Sequence, residues 1–148
     1  MTRSSFRRLL KSEGGVSALE FAIISPVLLT ILLGIFQFGI AMNDYMVLTN
    51  AAAAGALNVA LARGTTTPYT TTKSAVTAAA PNLTPASITT TVTINGTACG
   101  TDSACTSALV AGASAVVKAT YPCNLTVMGV NYAPSGCTLT AQTAQMVQ

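Results

Sequence analysis

Histidine and tryptophan are absent from this chain, and aspartate and glutamate together number 4. Charged residues make up 7% of its 148 positions, where a soluble domain carries about a quarter. Each shortage closes off a class of function. Without histidine, the commonest general base and metal ligand are missing. The carboxylates beyond the long apolar run are Asp44 and Asp102, which stand in different regions and make no acid–base pair. Ser74 or Ser114 with Lys73 or Lys118 would be the remaining nucleophile pairs, and no motif surrounds either one. No Gly-rich phosphate loop occurs. The chain therefore does not read as an enzyme, and neither a cofactor nor a small-molecule substrate is expected. Seven Lys and Arg are also too few, and too unevenly placed, for a nucleic-acid surface.

What charge exists is concentrated at the start. Arg3, Arg7, Arg8 and Lys11 face only Glu13 there, whereas Arg63, Lys73 and Lys118 balance Glu20, Asp44 and Asp102, so the net +3 belongs to residues 1–15. From Phe21 to Asn43 the sequence FAIISPVLLTILLGIFQFGIAMN carries no charge. At about 1.5 Å per residue this run crosses the roughly 30 Å hydrocarbon core of a bilayer. It exceeds the ~7–15 apolar residues of a cleaved secretory signal, and no convincing A-x-A-like cleavage site follows it. A helix apolar on every side belongs in lipid rather than in a small soluble core. The basic cluster on its N-terminal side places residues 1–15 in the cytoplasm and residues 44–148 outside.

Pro26 removes a backbone donor within this segment and bends it. Gly34, Gln37 and Gly39 are the candidate helix-packing residues, because small residues admit a neighbouring helix and an amide can hydrogen-bond across the contact. Lipid-facing glycines without a packing role are the alternative. Beyond the span, NDYMVLTNAAAAGALNVALARG keeps helical spacing, with Tyr45, Leu48, Ala52, Leu57 and Leu61 as the expected apolar face. Arg63 and Gly64 end the helix and TTTP breaks the pattern. A single helix from about Val16 to Ala62 would be roughly 70 Å long.

The remainder is threonine-rich, with a dozen Thr between residues 65 and 93. A short helix is expected around Thr71–Ala80, closed by Pro81. Strand alternation marks Ser87–Asn95, Ser114–Tyr121 and Thr138–Val147. These elements predict an α+β domain in which an antiparallel sheet of about three strands packs on the long helix. Cys99, Cys105, Cys123 and Cys137 all fall in the exported half, where an even count implies disulfides. Three pairings are possible. Cys99–Cys105 and Cys123–Cys137 are favoured, because each closes one loop between successive strands. The spacings lack the close pairs of a zinc knuckle, and there is no C-x-x-C redox motif.

The most specific pattern is Gly14-Gly15-Val16-Ser17-Ala18-Leu19-Glu20-Phe21, in which basic residues lead to glycine, glutamate follows five residues on, and an aromatic opens the apolar run. It resembles the prepilin-peptidase site of Flp-type pilins. With the early Pro26, the Gly-Ile-x-x-Phe-Gly stretch and the Ala-rich continuation, residues 7–64 resemble the N-terminal region of TadE-family pseudopilins. The resemblance implies a basic leader (1–15), a membrane helix with its extension (16–63) and a small exported domain (64–148). It implies cleavage after Gly15, with the new α-amino group of Val16 pairing with Glu20. It further implies a structural subunit of a Tad/Flp pilus in the bacterial inner membrane, whose partners are lipid, other pilin or membrane-protein helices, and a prepilin peptidase. Gln37 departs from the family where many members carry an acidic residue. The alternative reading is a single-pass accessory subunit of another inner-membrane complex, with no pilus role.

Overall fold

The computed structural model describes residues 13–127 and 129–148, so the basic residues Arg3, Arg7, Arg8 and Lys11 lie outside the described residues. Two compact units emerge, Met1–Phe38 and Gly39–Gln148. A helix, α1, runs from Glu13 to Leu61. Within the first unit Phe21, Ile24, Leu28, Ile35 and Phe36 are each more than half exposed, while Leu33 is partly buried. This helix is long and apolar enough to cross a membrane, and its most apolar window has no residue buried within the protein. Pro26 lies inside it. The Thr30 hydroxyl donates to the Pro26 carbonyl at 2.8 Å, so this threonine spends its polarity on its own helix.

In the second unit the same helix acquires a different face. Leu48, Ala51, Ala52, Ala56 and Val59 are fully buried, at the three- and four-residue steps of one helical stripe. The face expected from sequence therefore needs correction. Leu48 and Ala52 do point inward, but Tyr45, Leu57 and Leu61 are exposed, the last two at 54% and 57%. The reason is size. A stripe of Ala and Gly lets the sheet come close, whereas the leucines flanking it would hold the layers apart.

The chain leaves α1 through Gly64, whose φ of +81° suits glycine, and turns into helix α2, Pro68–Ala78. This helix starts three residues before the expected point, because Pro68 occupies the first helical turn, where a missing N–H costs nothing. After a short 3-10 turn at Pro85–Ser87 come β1 (Thr89–Ile94) and β2 (Thr97–Cys99). Helix α3 (Asp102–Ala108) follows, then β3 (Ser114–Pro122), the short β4 (Thr126–Val127) and β5 (Val130–Asn131), and finally β6 (Thr138–Met146). The main sheet is antiparallel in the order β2-β1-β3-β6. β3 and β6 pair without a bulge from Ser114↔Met146 to Pro122↔Thr138. The three expected strands are present, and β2 adds a fourth. The fold is α+β.

The core between helix and sheet is thin. Ala115, Val117, Ala119 and Ala141 face the buried stripe of α1, with Val76 of α2, Val92 and Ile94 beside them. Cys99–Cys105 and Cys123–Cys137 form disulfides. The first is itself part of this core. For so little buried apolar volume, each bridge contributes about 2–4 kcal/mol.

Candidate functional site

The residues singled out at the start of the span lie on α1. Gly15 falls inside the helix, which extends to Glu13 rather than beginning near Val16. Val16 and Glu20 are four residues apart and therefore stacked one turn from each other, about 6 Å along the axis. Both are exposed, as is Phe21 at 70%. An amine created at Val16 would stand within electrostatic reach of the Glu20 carboxylate, at the end of the helix whose dipole favours a negative charge.

Among the packing candidates, Gly34 and Gly39 both have open space where a Cβ would project. An α-helix turns about 100° per residue, which puts Gln37 about 60° from Gly34 but Gly39 about 140° away. One partner helix can therefore meet Gly34 and Gln37 together, while Gly39 belongs to another side.

The second unit contains a polar clamp that sequence reading missed. α2 lacks a cap of its own, since Thr67 at its N-cap makes no side-chain bond. Asp102, in the first turn of α3, supplies one from elsewhere in the chain. Its Oδ1 accepts from the Thr70 backbone N–H at 2.9 Å and its Oδ2 from the Thr70 hydroxyl at 2.6 Å. The hydroxyl bond first, and the backbone bond next, hold the Asp102 carboxyl below the usual carboxylate range. The arrangement places a negative charge at the N-terminus of α2, where the helix dipole favours it. α3 carries its own cap, Thr101, whose hydroxyl accepts from Ala104 N–H at 3.4 Å. Cys99–Cys105 ties this helix to β2. Asp102 is thus held by a disulfide-anchored turn, and its chemistry is structural.

Gly55 is the second residue missed. A Cβ there would lie 2.5 Å from Val76 Cγ2 and 3.2 Å from Val117 Cγ1. Its position inside the expected apolar stripe, among alanines, was the available signal. The third is the Asn95-Gly96 turn, with φ of +49° and +82°, which joins β1 to β2 in a two-residue hairpin. Asn-Gly between alternating residues is the strongest local hairpin signal, and the expected strand had simply stopped at Asn95. Among the described residues no cluster of three His, Cys, Asp or Glu side chains could hold a metal ion.

No curated protein and no solved structure matches the chain. A family model does: the one described as TadE-like protein matches residues 15–57. That match spans Gly15, Val16, Glu20, Phe21, Gly34, Gln37 and Gly39, and it reaches through the buried stripe as far as Gly55 and Ala56. With the exposed apolar helix it points to a membrane-anchored protein that interacts with other pilus or membrane components. The segment that carries the apolar run and the sheet-facing stripe is thus similar to TadE-like proteins.

Proposed function

We propose that this chain is a pilin-like structural subunit of a Tad/Flp-type pilus assembly, anchored in the bacterial inner membrane with residues 1–15 in the cytoplasm and the sheet domain on the far side. The observation that carries the reading is the coincidence of three features in residues 15–57: the TadE-like match, the Gly15-to-Phe21 pattern, and an apolar helix exposed along its span. The mechanism is positional. A prepilin peptidase removes the basic leader after Gly15 and leaves Val16 with a free α-amino group. Pairing of that amine with Glu20, in the same or a neighbouring subunit, neutralises a carboxylate whose place near the bilayer costs up to a few kcal/mol. The pair then sets the register between helices, while Gly34 and Gln37 allow close approach. The family is one of structural pilus components, which supports a role without chemistry of its own.

Mass spectrometry of the membrane-extracted protein tests the maturation step. In cells with an active prepilin peptidase the chain is expected to begin at Val16, and Gly15→Ala is expected to retain residues 1–15. Recovery of wild-type chain still carrying those residues under the same conditions refutes cleavage. Co-purification in mild detergent tests the assembly: pilus components sustain the proposal, and a respiratory, photosynthetic or transport complex replaces it.

A further inference from the structure

The loop between β3 and β6 stands apart from the rest of the exported unit. It is closed by Cys123–Cys137, contains the β4–β5 pair, and exposes Val130 at 54% and Tyr132 at 67%. Residues 119–148, which include it, contain no charged side chain. Its location follows from two contacts within Gly39–Gln148. The Gln148 N–H donates to the Ala60 carbonyl at 3.1 Å, and the Cα of Gly55 faces Val117, whose Cγ1 lies 3.2 Å from where a Cβ would stand. Going from Ala60 back to Gly55 thus moves along the sheet from the C-terminal end of β6 toward the middle of β3. A further seven residues, about 10 Å of helix, reach Leu48. The same distance along β3, three or four residues at about 3.3 Å each, reaches Thr120 and Tyr121. The disulfide-closed loop therefore leaves the sheet beside Leu48, at the end where α1 emerges from the uncharged run that stops at Asn43. Asp44, the first charge after that run, is one turn from Leu48, about 6 Å along the axis.

The loop is also built to tolerate a dehydrated surface. The Tyr132 N–H donates to the Leu125 carbonyl at 2.9 Å, and the Cys123 N–H to the Cys137 carbonyl at 3.0 Å. Asn131 Oδ1 accepts from the N–H groups of Leu125 and Ala133, at 3.2 Å and 2.9 Å. Each backbone donor satisfied in this way lowers the cost of leaving water. A tyrosine, apolar in its ring and polar at its tip, is suited to the headgroup boundary.

Resting on the membrane-anchored reading above, we infer that the Cys123–Cys137 loop docks on the phospholipid surface through Val130 and Tyr132, giving the exported domain a second contact with the bilayer beside its helix. A charge-free loop brings no carboxylate against the lipid phosphates and incurs no ion-desolvation cost at the headgroup boundary. The docking fixes the height of the sheet domain above the membrane for as long as the subunit resides there.

The absence of tryptophan gives a direct test. Single-tryptophan versions of the full chain, Tyr132→Trp, Val130→Trp, Phe36→Trp and Val110→Trp, are reconstituted one chain per nanodisc of phosphatidylethanolamine and phosphatidylglycerol, with and without brominated acyl chains. Phe36 reports the span, and the exposed Val110, two residues from Gly112 at the opposite end of the β3–β6 ladder, reports the far end of the sheet. Emission from Phe36→Trp is expected to be strongly quenched. That from Tyr132→Trp and Val130→Trp should be blue-shifted and roughly halved by bromine, as befits residues at the interface, and that from Val110→Trp unchanged. Quenching at Phe36→Trp with none at either loop position overturns the docking and leaves the anchor intact. A blue shift without bromine quenching means that protein covers the loop, and overturns it too. Quenching at Val110→Trp equal to that in the loop removes the end-specific contact. No quenching at Phe36→Trp refutes the anchor itself, and the loop proposal with it.

Discussion

Replacing Gly55 by alanine sets two effects against each other, and the structure decides between them. In an exposed helix the exchange is favourable by about 1 kcal/mol, because alanine restricts the unfolded chain and prefers the helix. Here the new methyl would sit 2.5 Å from Val76 Cγ2, about 1 Å inside ordinary contact. Val76 has no room to swing aside, since a β-branched residue in a helix holds essentially one rotamer. Retreat of α1 from α2 is limited by Val117 Cγ1 at 3.2 Å on the sheet side, with Thr72 Cγ2 at 3.6 Å. Overpacking of this kind costs about 1–3 kcal/mol, so the net change is a destabilisation of roughly 1 kcal/mol, or about 4–8 °C in Tm for a domain of this size. The assay is thermal melting of the disulfide-intact full chain in mild detergent, followed by the near-UV circular dichroism of its tyrosines. A double-mutant cycle sharpens the test. Val76→Ala alone opens a cavity and costs about 1–3 kcal/mol, but the added methyl at Gly55→Ala fills that space. The double variant should be more stable than the sum of the singles by about 1 kcal/mol or more. A rise in Tm for Gly55→Ala alone, or strict additivity in the cycle, refutes the close packing of α1 against α2 and β3.

Three further outcomes follow from the second unit. Replacing Cys99 and Cys105 together by alanine should cost about 2–4 kcal/mol and lower the Tm seen by tyrosine circular dichroism, because this bridge is buried in the core. Gly96→Ala, at a φ of +82°, should cost about 1–2 kcal/mol in the same melt, and an unchanged Tm would show that the β1–β2 turn has another conformation. Asp102→Asn should lower Tm near neutral pH. The carboxyl is held below the usual range in the fold, so its contribution is complete above the unfolded carboxylate pKa and disappears as pH falls through the lowered folded value. Melts at a series of pH values should therefore show wild type and variant converging in acid, and parallel curves would dismiss the clamp.

The parts of the fold legible in the sequence were those carried by strong periodicity. The uncharged Phe21–Asn43 run and the alternation in Ser114–Tyr121 and Thr138–Val147 leave little choice of conformation, and the observed β3 and β6 differ from those bounds by one residue each. The sheet-facing side of α1 was harder to read because hydropathy favours Leu57 and Leu61 over alanine, while close packing favours the reverse. α3 spans only Asp102–Ala108, too short for a helical period to appear. Its position depends on a disulfide and on a cap to Thr70, 32 residues away in the chain. Asp102 was read as a solitary acid for the same reason, since no local pattern announces a partner that only the tertiary fold brings close. At the start of the apolar run the signal is of another kind: Gly15, Glu20 and Phe21 stand out by their order along the chain and not by any packing of their side chains.

Side-chain size, more than apolarity, distinguishes the two halves of α1. In the first unit Leu, Ile and Phe stand exposed, where lipid can fill any gap between them. In the second, Ala51, Ala52, Gly55 and Ala56 are buried, and the gap is filled instead by Val76, Val92 and Val117 of the same chain. A leucine helix needs no shaped partner, whereas an alanine stripe gains stability only if a surface fits it closely, since each methyl buries little area alone. The domain thus depends on fit rather than bulk, and fit is sensitive to the relative placement of α2, α3 and the sheet. The buried Cys99–Cys105 bridge and the Asp102–Thr70 clamp hold that placement: one ties α3 to β2, the other ties α2 to α3. Loss of either should therefore be felt at Gly55, where helix, second helix and sheet meet, although neither touches it.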